Sequence, residues 1–237
     1  MPINKSIGNM YEWVDATWNP IQGPCDHACS YCYMKDRWRL QGLAGQVLKE
    51  NYLKDNLGSG VRYFVGSSTD MWLADPGWIH RVLDHCLAYP GNVYHFQSKN
   101  PAKMIGYIFP PDTTLGTTIE TDDAALCRQY SQAPPPSARI HALDFLGRFN
   151  DVKLMVSIEP VLEFNLPRLV SFIRIVEPEF VSIGADSKGH RLPEPSSLKL
   201  GFLIQALQEF AEVKIKPNLG QLLSPEQIKA FTKKKEV

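Results

Sequence analysis

The stretch KLMVSIEPVLEFNLPRLVSFIRIVEPEFVSIGAD, residues 153–186, decides the fold. Two short β-rich runs, KLMVSIEP (153–160) and FVSIGAD (180–186), enclose LPRLVSFIRIV (166–176), whose apolar residues recur at the helical period. Strand, helix, strand at this spacing is a βαβ unit, which implies parallel strands joined by a right-handed crossover.

The same rhythm extends in both directions. Further strands are expected at 13–19 (WVDATWN), 62–68 (RYFVGSS), 92–99 (NVYHFQSK), 114–121 (TLGTTIET) and 212–218 (EVKIKPN). PGWIHRVLDHCLAY opens a helix with proline in its first turn and spaces Ile79, Val82, Leu83 and Cys86 along one face. SSLKLGFLIQALQEFA has a similar apolar period, and APPPSA (133–138) divides the region after the fourth strand into two helices. About seven strands in this order form either a doubly wound sheet or a barrel, complete or partial. No internal repeat or low-complexity linker divides the chain, so residues 1–237 are read as one domain.

Polar residues collect where the strands stop: Ser67, Ser68, Thr69 and Asp70; Ser98 and Lys99; Thr118 and Glu120; Ser157 and Glu159; Asp186; Lys216 and Asn218. The C-terminal ends of parallel barrel strands form the active-site face. Six such ends in succession therefore predict a lined cavity.

Composition narrows the function classes. Hydrophobic residues make up 44% and charged residues 21% of the 237, enough for a sizeable core. Lys plus Arg and Asp plus Glu balance at 25 each, which argues against coating nucleic acid by bulk charge. The tail TKKKEV reads as a solvated helix end. MPINKSIGNM has no apolar signal-peptide core, and no run approaches a membrane span, so a cytoplasmic protein is expected.

In a reducing compartment, clustered cysteines serve as metal ligands or catalytic groups rather than disulfides. GPCDHACSYCYM (23–34) places Cys25, Cys29 and Cys32 within eight positions. Three readings are open. Zinc wants four ligands, which His27 could complete. A redox pair would use Cys29 and Cys32 and leave Cys25 idle. A [4Fe–4S] cluster on three thiolates leaves one iron free for a ligand that is not protein.

Here CDHACSYC resembles the signature loop of the radical S-adenosylmethionine (SAM) superfamily, following a first strand and preceding a run of βα units. TWNP (17–20), QSKNPAKM (97–104) and SIEP (157–160) resemble a small phage and prokaryotic group of that superfamily with no assigned substrate. More distantly, CSYCY resembles the spore photoproduct lyases. The resemblance implies an α/β partial barrel of the (β/α)6 type and a [4Fe–4S] cluster on Cys25, Cys29 and Cys32. It also implies reductive cleavage of SAM to a 5′-deoxyadenosyl radical that takes hydrogen from a substrate.

By the same resemblance Tyr31 lies near the adenine. GSSTD (66–70), with Gly66, Ser67, Ser68 and Asp70, meets the methionine amino group. Lys99 meets its carboxylate, and Glu120 meets the ribose. Ser157 on the fifth parallel strand and Gly184 on the sixth complete the cofactor site. A flavodoxin- or ferredoxin-type reductant is the implied electron partner.

Ser67 stands where the lyases carry a hydrogen-donating cysteine, and a hydroxyl cannot replace a thiol in that step. Of the two remaining thiols, Cys86 is read as a buried small hydrophobe and Cys127 as the catalytic candidate. A nucleotide or nucleic-acid base is the expected substrate. Trp13, Trp18, Trp38 and Trp72, with Lys35, Arg37 and Arg39, are read either as packing and solvated charge or as stacking and phosphate contacts. The rival function is a non-enzymatic zinc or structural iron–sulfur module that binds nucleic acid.

Overall fold

The computed structural model describes residues 3–6, 10–35 and 43–232. Arg37, Trp38, Arg39 and most of the TKKKEV tail lie outside the described residues.

The strands are β1 (Ile3–Lys5), β2 (Ala16–Trp18), β3 (Ile21–Gln22), β4 (Val47–Leu48), β5 (Arg62–Val65), β6 (Val93–Gln97), β7 (Thr113–Thr118), β8 (Lys153–Ile158), β9 (Phe180–Ile183) and β10 (Glu212–Ile215). The helices are α1 (Pro76–Leu87), α2 (Ala124–Tyr130), α3 (Pro136–Phe149), α4 (Leu166–Val176), α5 (Ser197–Gln208) and α6 (Pro225–Thr232). One sheet runs β1-β2-β5-β6-β7-β8-β9-β10, and β3 pairs with β4 apart from it. From β2 to β10 every neighbouring pair is parallel, and only β1 joins antiparallel, on β2. Among the described residues β1 and β10 are the two ends of the sheet and do not pair with each other. This is the partial parallel barrel expected, open along one seam. All seven predicted strands are present, and APPPSA separates α2 from α3 as read.

Alternation along each strand gives the barrel two faces. Val65, Phe96, Leu115, Val156, Val181 and Ile183 face outward into the main core, where Ile79, Leu143, Ile173 and Ile204 of the helices meet them. The helices start where short polar side chains satisfy their free N–H groups: Asp75 caps α1, Asp123 caps α2, Asn165 caps α4 and Ser196 caps α5. Cys86 is buried in this core, as read.

The inward face is filled partly by the chain preceding β2. The strand predicted over 13–19 is shorter than expected, because residues before Asp15 turn into the barrel instead of pairing. Tyr11 stacks on Trp13 at 4.3 Å, and Trp13 meets Phe180 edge-on at 4.8 Å. Tyr11 also lies 5.7 Å from His95, whose interior burial lowers its pKa to about 4 and keeps it neutral. The Tyr11 hydroxyl donates to Gln97 Oε1 (3.0 Å) and shares a hydrogen bond with Ser157 Oγ (3.1 Å). Tyr11→Phe is expected to cost about 1–2 kcal/mol, since it removes both bonds and leaves buried partners less satisfied. Urea unfolding of the two proteins would show it, and identical midpoints would mean that water replaces the hydroxyl.

Trp18 and Trp72 are also buried in the core, which makes them packing residues and not a stacking surface. Trp72 meets Phe96 at 5.7 Å and Tyr107 at 5.5 Å, both near edge-on.

Candidate active site at the C-terminal strand ends

The cysteine loop follows β2 and β3 and is wound by a turn at each thiol. The carbonyls of Cys25, Cys29 and Cys32 accept from the backbone N–H groups of Ala28 (3.1 Å), Cys32 (3.2 Å) and Lys35 (3.0 Å). Its back is tied to the α2–α3 connection. Ser30 N donates to Tyr130 O and Gln132 N to His27 O, both at 2.8 Å, and Cys29 Sγ lies 3.2 Å from Ser131 Oγ. Cys29 is buried, while Cys25 and Cys32 are partly exposed.

His27 does not complete a tetrahedron, because its Nε2 is bonded to Asp70 Oδ2 at 2.8 Å. Among the described residues no group of three or more His, Cys, Asp or Glu side chains is arranged for a metal ion. That holds for Cys25, Cys29 and Cys32 as well: the loop carries three thiols but does not converge them as a metal site. Only the chemistry of the set, three thiolates rather than four mixed ligands, suits a cluster with an open iron better than a closed zinc site. Burial, and then the Asp70 charge, push the Cys25 thiol up to about 11.

The turn after β5 places GSSTD beside this loop. Gly66 takes φ +79°, and a Cβ there would lie 2.8 Å from Met71 Cγ, so glycine is required on both counts. Asn19 Oδ1 accepts from Ser67 Oγ (3.1 Å) and Ser68 N (2.9 Å), while Tyr33 Oη donates to Ser67 O. Ser68 Oγ is buried with no partner, a polar atom left for a ligand. Asp70 is a junction: besides His27, its Oδ2 accepts from Ser98 Oγ (2.7 Å) and Lys99 N (3.0 Å).

At the ends of β6 and β7, against Tyr31 of the cysteine loop, Glu120 is fully buried between two cations. Its Oε1 accepts from Lys99 Nζ and Tyr31 Oη, and its Oε2 from Arg139 Nη1 at 2.7 Å. Lys99 Nζ also stands 4.4 Å from the Tyr31 ring centroid. Burial works to raise the Glu120 pKa, but the Lys99 and Arg139 charges win and hold it at about 2. Burial and the neighbouring carboxylate push Tyr31 well above its ordinary range, so it stays a donor.

The β8–β10 side is distinct. Ser157 Oγ is turned to Tyr11. Glu159 accepts from Lys216 Nζ (2.8 Å) and Asn218 Nδ2 (3.3 Å). A Cβ on Gly184 would lie 2.9 Å from both Asn218 Oδ1 and Glu159 Cδ, so glycine keeps that wall open. Asp186 is taken up locally by His190 Nδ1 (2.6 Å) and Lys188 N (3.1 Å). A cavity of about 350 Å³ opens at the seam between residues 10–13 and β10, lined by Trp13, Lys214, Lys216 and Pro217 and not by the cysteine loop.

The structure thus brings Cys25, Cys29, Cys32, Tyr31, Ser67, Ser68, Asp70, Lys99 and Glu120 to one end of the barrel. Cys127 is not among them. It is 2% exposed on α2, behind Glu120, with its Sγ 3.0 Å from Arg139 Nη2. Arg139 was not singled out in the sequence. The available signal was a cation on the apolar stripe of α3, between Pro136 and Ile140, Leu143 and Leu146.

No protein-family model matches the chain, and none of the curated proteins does. Among solved structures it is similar to spore photoproduct lyase. A mutant with bound AdoMet and dinucleoside spore photoproduct superposes with TM-score 0.62 at 10% identity. A form complexed with dinucleoside spore photoproduct gives 0.63 at 10%, and another point mutant 0.64 at 9%. Each likeness covers 88% of this chain and 78% of that chain. At such identities the shared property is the fold, a mostly parallel partial barrel with its helices outside.

Proposed function

We propose that this chain is a radical SAM enzyme acting on a nucleotide or nucleic-acid base. The observation that carries the reading is the loop bearing Cys25, Cys29 and Cys32, anchored through His27 and Asp70 to the strand ends that present Lys99 and Glu120. The fold shared with spore photoproduct lyase, solved with AdoMet and with a dinucleoside, supports the cofactor and the substrate class.

In this reading Cys25, Cys29 and Cys32 hold a [4Fe–4S] cluster. Cluster and SAM together supply one-electron cleavage and hydrogen abstraction from carbon. The chain's own residues bind and orient the cofactor. The unpartnered Ser68 hydroxyl and its turn face the amino group, Lys99 the carboxylate, Glu120 the ribose hydroxyls, and Tyr31 with Gly184 the adenine. Ser157, bonded to Tyr11, and Cys127, beside Arg139, are given no cofactor contact in this reading. A small reductant protein of the flavodoxin or ferredoxin type would deliver the electron. No helix among the described residues is long and apolar enough to cross a membrane.

The test is an anaerobic assay of the chain reconstituted with iron and sulfide, mixed with SAM and dithionite. The native chain is expected to take up iron and release 5′-deoxyadenosine. A variant with Cys25, Cys29 and Cys32 all changed to Ala should do neither. A native chain that assembles no cluster would return the thiols to zinc.

A further inference from the structure

The cluster around Glu120 sets two cations, Lys99 and Arg139, against one carboxylate. The cations differ in freedom. Arg139 is fully buried, and besides Glu120 its guanidinium donates to Pro134 O through Nε (2.6 Å) and to Thr118 O through Nη1 (2.9 Å). With Cys127 Sγ on Nη2, it is fixed from four directions behind the carboxylate. Lys99 approaches from the opposite side on a flexible stem, is partly exposed, and meets Glu120 and Tyr31 at its tip.

A carboxylate arriving at the exposed side of the cluster therefore meets an ammonium that can turn to it and not the buried guanidinium. We infer that Arg139 is a positioning residue that holds Glu120 in place from behind, so that Lys99 can leave the pair for the carboxylate of incoming SAM. The inference rests on the radical SAM reading above. The exchange balances in charge: the Lys99–Glu120 pair opens, a Lys99–ligand carboxylate pair closes, and Arg139–Glu120 persists. Without the guanidinium, the same exchange would leave a buried carboxylate alone, which a protein interior tolerates poorly.

Binding of two probes to the reconstituted chain tests this by equilibrium dialysis. S-adenosylhomocysteine carries the amino-acid carboxylate; 5′-methylthioadenosine has the same nucleoside without it. Arg139→Gln, which can still donate a hydrogen bond but carries no charge, should weaken S-adenosylhomocysteine at least about tenfold and 5′-methylthioadenosine less than about threefold. Arg139→Lys should restore the first to within about threefold of native. Equal losses for both probes would make Arg139 merely structural, and no loss, or no rescue by lysine, would also overturn the inference. In those cases native binding of both probes leaves the SAM reading standing. A native chain that binds neither probe removes both conclusions.

Discussion

Glu120→Ala is expected to lower the unfolding free energy by about 3–5 kcal/mol, the cost of breaking a buried ion pair from one side. The carboxylate is fully buried, and its removal leaves the Arg139 guanidinium and the Lys99 ammonium facing each other across the vacated site. Arg139 cannot escape to water from its position on α3, so its remaining bonds to Thr118 O and Pro134 O must carry a bare charge. Glu120→Gln separates charge from shape: it fills the same volume but still leaves two cations uncompensated. Both variants should unfold at lower urea than the native chain. A loss under about 1 kcal/mol for Glu120→Ala would mean that water enters the cluster and screens it.

The same pair sets a pH dependence with a definite sign. The Glu120 pKa falls from 4.5 to about 2 on folding, despite burial, under the charges of Lys99 and Arg139. A depressed carboxylate pKa contributes stability that is full above the unfolded value and disappears as pH falls through the folded one. The contribution is roughly 3 kcal/mol, lost between about pH 4.5 and pH 2. Glu120→Gln should lack this portion of the acid loss. A variant that follows the native acid profile in parallel would place the acid sensitivity elsewhere.

Much of this architecture was legible because each strand carries its own marks. Val156, Val181 and Ile183 alternate with Ser157 and Ser182, and the polar residues after each run become the lining of one barrel end. Lys99 and Glu120 could be placed on the site because strand ends in a parallel barrel must converge. Two features resisted. WVDATWN has the composition of a strand throughout, yet Trp13 stacks inside the barrel, since an aromatic that plugs a barrel and one that lies on a strand have the same local pattern. Arg139 lies in a helix that also carries Asp144 and Arg148, and only its placement on the buried stripe distinguishes it. Its partner Glu120 is 19 residues away in sequence, and no local signal joins them.

Asp70→Ala should have a comparable effect through a different route. One oxygen, Oδ2, receives His27 Nε2 from the cysteine loop and Ser98 Oγ and Lys99 N from the end of β6. The other accepts from Trp72 N at 3.3 Å, which starts the short turn Met71–Leu73. A single carboxylate thus joins the loop carrying the thiols to the strand carrying Lys99, and alanine would leave several buried donors without acceptors. At about 1–3 kcal/mol for each donor left unsatisfied, less whatever water recovers, a loss of about 3 kcal/mol is expected. Iron retained after anaerobic reconstitution should fall with it, because His27 is no longer held while Cys25 and Cys29 flank it on the loop. A double-mutant cycle with His27→Ala isolates that contact, and a coupling of about 1–3 kcal/mol is expected for groups in direct contact. Additive losses would show that the loop keeps its shape without the His27–Asp70 bond, and that the clamps to Tyr130 O and Gln132 N suffice to hold the three thiols.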